Sequence, residues 1–455
     1  MTDFTALVAS QREYFLTQAT KPYAFRAAQL TALKGWIEKN EQAILDALNA
    51  DLGKSAFEGY LTEVAMVKQE LADALKHLKR WMKPLRARTA LGQLPGKCRV
   101  YREPYGVTLV MSPWNYPFQL TLAPLIGALS AGNCAVVKPS NYARATSALV
   151  ARMASELFAP AYVAVVEGGR AENAALLEEK FDNIFFTGSP AVGRLVMEKA
   201  ARWLTPVSLE LGGKSPVIVD ESADIALAAR RIVWGKLLNA GQTCVAPDYV
   251  LVYHGREQAL LEALIAEIRR MYGSAPLVNE ELPHIINRHH FDRLIGLLGS
   301  GAVAIGGQAD EKTLKIAPTV LSDVSWDSPV MQEEIFGPIL PILTYRKLDE
   351  AIAEIQARAK PLALYLFTRD KAVERKVLES VSFGGGCVND TVLHLATAHM
   401  PFGGVGESGM GGYHGEYSFD TFTHKKSVLK RFAKPDIPLR YAPYGEKLKF
   451  ARKLV

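Results

Sequence analysis

The 455-residue chain is long enough for two or three compact units, and with 49% apolar and 22% charged residues it reads as globular rather than disordered or fibrous. Its formal charge of +6 is uneven: residues 425–455 carry ten Lys or Arg against Asp436 and Glu446, a local +8 that leaves the remainder at −2. The basic character therefore belongs to the tail, and no nucleic-acid partner is expected.

The start, Met1-Thr2-Asp3-Phe4, lacks a basic region followed by an apolar core, and no later stretch approaches the roughly 18 uninterrupted apolar residues of a membrane span. A cytoplasmic protein without an integral membrane segment is the expectation. Residues 22–83 read as helices, because Leu30, Leu33, Ile37, Ile44, Leu45 and Leu48 recur mostly at three- and four-residue steps. From Gly106 the pattern changes to short apolar runs at 107–111, 134–137, 162–166, 183–186 and 207–209, most of them separated by helical segments, which predicts a parallel sheet. A second alternating set at 216–219, 249–253, 340–343 and 362–367 predicts a second α/β unit. Glu210 closes the first unit and Cys244 follows the first helix of the second, so both fall at a junction, where ligand clefts collect.

Gly384-Gly385-Gly386 and the glycines of 403–412 mark turns or close backbone approach. In the tail, Leu448, Ala451 and Leu454 or Val455 share one face of a short amphipathic helix, with Lys447, Lys449, Arg452 and Lys453 mostly on the other. Packing of that face on the chain's own body is expected, with a membrane surface or anionic partner as the alternative. Four cysteines, Cys98, Cys134, Cys244 and Cys387, stand far apart with no C-x-x-C pair, which fits a reducing compartment and predicts neither a disulfide framework nor a zinc site. His289-His290 and the pair His394 and His399 lack further ligands at a recognised spacing, so no metal is expected. Gly213-Lys214-Ser215 looks like the end of a phosphate-binding loop, but Ser208 stands where its first glycine belongs.

Cys244 lies in Asn239-Ala240-Gly241-Gln242-Thr243-Cys244-Val245, downstream of Leu209-Glu210-Leu211-Gly212-Gly213-Lys214. A lone cysteine is more often a small buried hydrophobe. With Pro113-Trp114-Asn115-Tyr116-Pro117, Lys138-Pro139-Ser140, Phe186-Thr187-Gly188-Ser189, Glu333-Glu334-Ile335-Phe336-Gly337-Pro338 and Pro401-Phe402-Gly403-Gly404, however, the set in this order resembles the aldehyde dehydrogenase superfamily over most of the chain. The short amino-terminal lead and Ser408-Gly409-Met410-Gly411-Gly412-Tyr413-His414-Gly415 are most similar to its class 3 branch, which includes fatty and aromatic aldehyde dehydrogenases. The resemblance implies an α/β fold: a Rossmann-like parallel-sheet cofactor domain over 1–92 and 105–211, and a catalytic α/β domain over 212–400. A small β oligomerisation arm over 93–104 and 418–432 and the basic tail 433–455 complete it. In that branch the arm joins two subunits, which implies a homodimer.

The residues support the same chemistry. Hydride leaves a flat aldehyde carbon with difficulty, but attack by the Cys244 sulfur makes a tetrahedral thiohemiacetal whose collapse expels hydride and leaves a thioester. Small neighbours Ala240, Gly241 and Thr243 would keep the sulfur accessible, and a helix amino-terminus or a cationic cofactor ring would favour its thiolate. Asn115 can donate its amide to the oxyanion, and Glu210, between apolar and glycine neighbours, can activate the water that releases the acid. Lys138 follows the second strand, where it can reach a ribose hydroxyl of NAD or NADP. At Asn141 the chain departs from the family, which commonly has glutamate there; a neutral amide weakens exclusion of the NADP 2′-phosphate and leaves the choice of dinucleotide open.

Gly188-Ser189-Pro190-Ala191-Val192-Gly193 sits between a predicted strand and a helix, the context of a nucleotide loop. By resemblance, Thr187 and Leu211 also border the cofactor, Glu334 takes the nicotinamide ribose and Phe336 lies beside the nicotinamide ring. Tyr116, Leu238, Thr243, Val392 and His414 would line an aldehyde tunnel whose largely uncharged walls favour aromatic or medium to long aliphatic aldehydes. A coenzyme A-acylating relative, against which Glu210 speaks, and a non-catalytic binding protein of the same fold are the rival readings.

Overall fold

A computed structural model describes residues 4–434, 436 and 438–452. The apolar runs that come after Gly106 build two sheets. In the first the strand order is Gly409–Met410, Val207–Glu210, Asn183–Thr187, Val107–Met111, Cys134–Lys138 and Val163–Val165. The strands drawn from 107–210 pair in parallel, with Val110 opposite both Val137 and Phe185. Gly409–Met410 alone runs antiparallel, placing Gly409 opposite Glu210. Val107, Leu109, Val110, Val136, Val137 and Phe185 are all buried. Helices cover both faces, which is why these strands read as unbroken apolar runs instead of alternating ones.

The amino-terminal helices begin earlier than periodicity suggested, at Phe4–Leu16, and continue as Tyr23–Lys39, Glu41–Leu52, Ala56–Gly59 and Ala65–Trp81. Between the last two, Tyr60–Val64 winds as a π-helical turn. Gln11 ties the first helix to the sheet by donating its Nε2 to the Ala135 carbonyl at 2.9 Å.

The second sheet has the order Ala302–Ile305, Thr319–Ser322, Ile339–Tyr345, Tyr249–Tyr253, Pro216–Val219, Ala363–Phe367 and Gly385–Val388. Only Ala302–Ile305 is antiparallel. Its short edge strands escaped the sequence reading; Gly385 and Gly386 of the glycine run lie in the strand Gly385–Val388, where close backbone approach, and not a turn, is what is found. A Cβ on Gly386 would lie 2.0 Å from the Leu364 carbonyl oxygen, so glycine here permits close approach to the neighbouring strand.

A third, antiparallel sheet joins Leu85–Ala87, Gly96–Pro104 and Thr423–Arg431. Strand was expected across 418–432, but Glu416–Thr421 is helical. The reason is packing: Ser418 and Phe422 press on Gly127 of the buried helix Gln119–Ala131, where any Cβ would come within 3.0 Å of them. Phe422 also stacks on Phe185 at 5.7 Å. Leu85–Ala87, just past the helical region expected over 22–83, forms the outer strand of this sheet.

In the tail, Lys447–Ala451 is a short helix, while Lys453, Leu454 and Val455 of the expected amphipathic face lie outside the described residues. Leu448 is 59% exposed and Ala451 is exposed as well, so the described part of that face does not pack on the body as expected. No helix among the described residues is long and apolar enough to cross a membrane.

Candidate active site

Thr187, Glu210 and the loop after Met111 all stand at the carboxyl ends of parallel strands in the first sheet, the edge where open α/β sheets bind ligands. Asn115 lies on that loop, and Cys244 approaches from the segment linking Ile225–Leu237 to Tyr249–Tyr253 of the second sheet. Three consecutive left-handed residues, Asn239 (φ 52°), Ala240 (φ 50°) and Gly241 (φ 76°), shape that segment. Such backbone is costly for the two non-glycine residues and is held by its surroundings. At Gly241 a Cβ would sit 2.2 Å from the Gly337 carbonyl oxygen.

This geometry revises the sequence reading of the cysteine's neighbours. Ala240 and Gly241 are buried and make the turn; they do not open a path to the sulfur. Nor does Cys244 begin a helix: it occupies a turn two residues beyond Gln242. Burial, reinforced by Glu334 and Glu210, pushes its thiol up to about 12.

Access comes instead through two cavities that share Cys244 as a wall. The larger, of about 650 Å³, brings together Asn115, Thr187, Gly188, Ser189, Glu210, Leu211, Glu334 and Phe336. The smaller, of about 160 Å³, contains all five residues expected to border the aldehyde: Tyr116, Leu238, Thr243, Val392 and His414. Lys138, Asn141 and Gly193 do not line either cavity.

Inside the larger cavity Glu210 is 2% exposed, and neither carboxylate oxygen has a hydrogen-bond partner among the described residues. Burial raises its pKa far above the ordinary carboxylate range. Asn115 donates Nδ2 to the Gln242 carbonyl at 3.0 Å, which leaves its second amide hydrogen for another acceptor. Glu334 is pushed up to about 8, chiefly by burial and then by Asp248, and its Oε1 is unpartnered. Gly212 lets the Glu334 carboxylate come close to the backbone: a Cβ there would lie 2.2 Å from Oε2 and displace it.

The loop carrying Glu334 is braced on both sides. Arg293 donates to Glu333 Oε1 at 2.9 Å and to the Ile335 carbonyl at 2.5 Å. Lys214 donates to Asp248 at 2.5 Å and to the Val330 and Glu333 carbonyls. Lys214, the apparent phosphate-loop lysine, is thus a strut. Phe336 adopts φ 51° and meets Trp114 edge-on at 5.4 Å, while His290, one of the unassigned histidines, packs on the same indole at 5.1 Å.

Toward the outer end of the first sheet, Lys138 is buried and donates Nζ to the Pro139 and Gly168 carbonyls at 2.8 and 2.7 Å. Burial lowers its pKa to about 8. Asn141 is exposed, with Nδ2 against Gly169. Gly193 lets Pro190–Ala201 sit on Leu211, whose Cδ2 would be 2.7 Å from a Cβ there. The unpartnered Thr187 Oγ1 and Glu334 Oε1, beside a helix amino-terminus at Ser189, fit a dinucleotide with hydroxyl and phosphate groups to present.

Sequence reasoning missed Leu61, Met66, Gln119, Trp234, Phe402 and Tyr413 in the smaller cavity. The helical positions among them share the period of core residues, so nothing in the pattern marks them. Tyr413, beside His414, and Phe402 both stand in motifs that carry the family resemblance and were within reach.

A model of the aldehyde dehydrogenase family matches residues 1–428. The chain belongs to that family. It is 47% identical over 443 residues to the 4,4'-diaponeurosporen-aldehyde dehydrogenase of Staphylococcus aureus, covering 97% of this chain and 96% of that protein. It is 50% identical over 420 residues to human aldehyde dehydrogenase family 3 member B1, covering 92% and 90%. Among solved structures, the substrate-bound state of a Staphylococcus aureus AldH superposes with a TM-score of 0.98 at 46% identity, over 100% of this chain and 99% of the other. This aldehyde dehydrogenase oxidises aldehydes with NAD or NADP as acceptor, and neither the acyl-transferring nor the non-catalytic alternative is favoured.

Proposed function

We propose that Cys244 is the nucleophile, Asn115 the oxyanion donor and Glu210 the hydrolytic base of this aldehyde dehydrogenase. The observation that carries the reading is the position of one sulfur in the wall between a large cavity with an unpartnered carboxylate and a small, mostly apolar one. The Cys244 thiol passes its proton to solvent water in the larger cavity as the sulfur bonds to the aldehyde carbon, and the carbonyl electron pair moves onto oxygen, where the free hydrogen of Asn115 Nδ2 meets it. Thr187, Gly188, Ser189, Leu211, Glu334 and Phe336 would hold NAD or NADP, with Lys138, Asn141 and Gly193 supporting the adenosine side, and the bound dinucleotide would supply the acceptor for the departing hydrogen and its electron pair. Glu210 then takes a proton from water as the water oxygen bonds to the thioester carbon; the C–S bond breaks and the acid leaves.

The substrates we infer are aromatic and medium to long aliphatic aldehydes. Leu61, Met66, Trp234, Leu238, Val392 and Phe402 offer contact area and no charge. Steady-state rates should favour benzaldehyde and hexanal over succinic semialdehyde in kcat/KM by at least about tenfold, since burying an unpaired carboxylate in such a cavity is heavily penalised. A clear preference for the semialdehyde defeats this.

Because exposed Asn141 brings no negative charge, both dinucleotides should support turnover. Asn141→Glu should shift the kcat/KM ratio toward NAD by about tenfold or more through repulsion of the 2′-phosphate. An unchanged ratio assigns that choice to another residue.

We also infer a homodimer, supported by Leu85, Leu94, Tyr101, Val428 and Leu429, which are exposed on and beside the three-stranded sheet. Sedimentation at the mass of a single chain rejects it. A cytoplasmic location is supported by four cysteines that are all unpaired; fractionation of the native host is the check.

A further inference from the structure

Behind the loop that carries Asn115 lies an ion pair that the mechanism does not use. Lys54 and Glu63 have side chains that are 0% exposed, with Nζ 2.5 Å from Glu63 Oε1. Two charges so deeply buried lose several kcal/mol of hydration each, and a hydrophobic pair of the same volume is often as stable or more so. Their remaining contacts all go to one place. Lys54 Nζ donates to the Asn115 carbonyl at 3.1 Å and stands 3.9 Å over the Tyr116 ring. Glu63 Oε2 accepts the Phe118 and Gln119 backbone N–H groups at 2.8 and 3.1 Å.

The same helical segment grips the cysteine's loop. Glu58 Oε1 accepts the Asn239 backbone N–H at 2.6 Å, and Asn239 Nδ2 donates to the Asn115 carbonyl at 2.7 Å. Tyr116, under the Lys54 ammonium, hydrogen-bonds Thr243 at 2.7 Å, one residue before Cys244. Glu63 lies within the π-helical turn Tyr60–Val64, a rare geometry that shifts the side-chain register of Ala56–Gly59 relative to that of Ala65–Trp81. Lys54 stands in the loop before Ser55, Glu58 on the α-helical turn Ala56–Gly59 and Glu63 on the π-helical turn, so three different pieces of backbone bring these side chains to the same two loops.

We infer that Lys54 and Glu63 are positioning residues that hold the oxyanion donor Asn115 in register with Cys244. They touch no substrate; they fix the backbone from which the amide reaches. The inference rests on the roles proposed above for Asn115 and Cys244.

The test is a double-mutant cycle between the pair and its client. Lys54→Met combined with Glu63→Gln removes both charges together and strands neither. This paired variant should bind NAD with the parental dissociation constant and keep KM for benzaldehyde within about threefold. Its kcat should fall by about 10- to 100-fold, the scale of a catalytic group displaced by an ångström. In an Asn115→Ala background the same change should lower kcat by less than about threefold, because the group it positions is gone.

Unchanged kcat in the paired variant, or a loss that multiplies in full with Asn115→Ala, overturns the inference. An Asn115→Ala enzyme with parental kcat instead defeats the oxyanion reading itself, so the two failures are separable. Should the paired variant not fold, Lys54→Gln combined with Glu63→Gln replaces the charges by two amides that can bond each other and retains an acceptor for the Phe118 and Gln119 N–H groups. It should show about a three- to tenfold loss of kcat, again absorbed by Asn115→Ala; the opposite result counts against the inference in the same way.

Discussion

Cys244→Ser should lower aldehyde oxidation by more than about a thousandfold while leaving NAD binding intact. The hydroxyl is a far poorer nucleophile than a thiolate, and its much higher pKa leaves almost none of it ionised at neutral pH. Dinucleotide affinity, measured by quenching of protein fluorescence, should stay within about twofold of the parent, since the sulfur only borders that cavity. In the parent, mass spectrometry of a rapidly quenched reaction should find the acyl group on Cys244 and on none of Cys98, Cys134 or Cys387. Oxidation at the parental rate by the serine enzyme ends the proposal that sulfur forms the covalent bond.

Glu210→Gln should separate the two halves of the reaction. The first half needs no water, so a burst of reduced dinucleotide close to one per active site is expected, and then turnover slowed by about 10²- to 10⁴-fold as the thioester waits for an activated water. Hydroxylamine, which needs no general base, should restore cycling. The pH profile carries the same signature with a definite sign. Glu210 works deprotonated, and its burial raises its pKa far above the ordinary range. Steady-state turnover of the parent should therefore climb with pH across the neutral and alkaline range as the carboxyl loses its proton. In Glu210→Gln that rise in the hydrolytic step should vanish. A parental pH profile and full turnover in the glutamine enzyme would assign water activation elsewhere.

Much of this was readable from the chain. Strands 107–111, 216–219 and 249–253 announce themselves as unbroken apolar runs because both sheet faces are covered, and the two sheets emerge from their alternation with helices. Cys244, Glu210 and Asn115 were legible because each stands in a distinctive motif, and the cavity geometry puts them together. What escaped has no local signal. The helix at Glu416–Thr421 exists because Gly127 leaves room for Ser418 and Phe422, a contact across nearly three hundred residues. Gly385–Val388 hid behind glycines whose purpose is close strand approach. The Lys54–Glu63 pair resembles any two charges in a polar stretch, because nothing local shows that a loop before Ser55 and a π-helical turn bury both side chains against each other.

The placement of Cys244 between two separate hollows has a kinetic corollary. With the dinucleotide and the aldehyde in the hollows proposed for them above, each reactant would have its own doorway, so neither need wait for the other to clear the passage. Reduced dinucleotide can depart on one side while the acyl group is still attached, and the finished acid retreats along the apolar side by which the aldehyde arrived. The order of product release is then set by the relative speeds of hydrolysis and dissociation, not by an obstruction built into the protein.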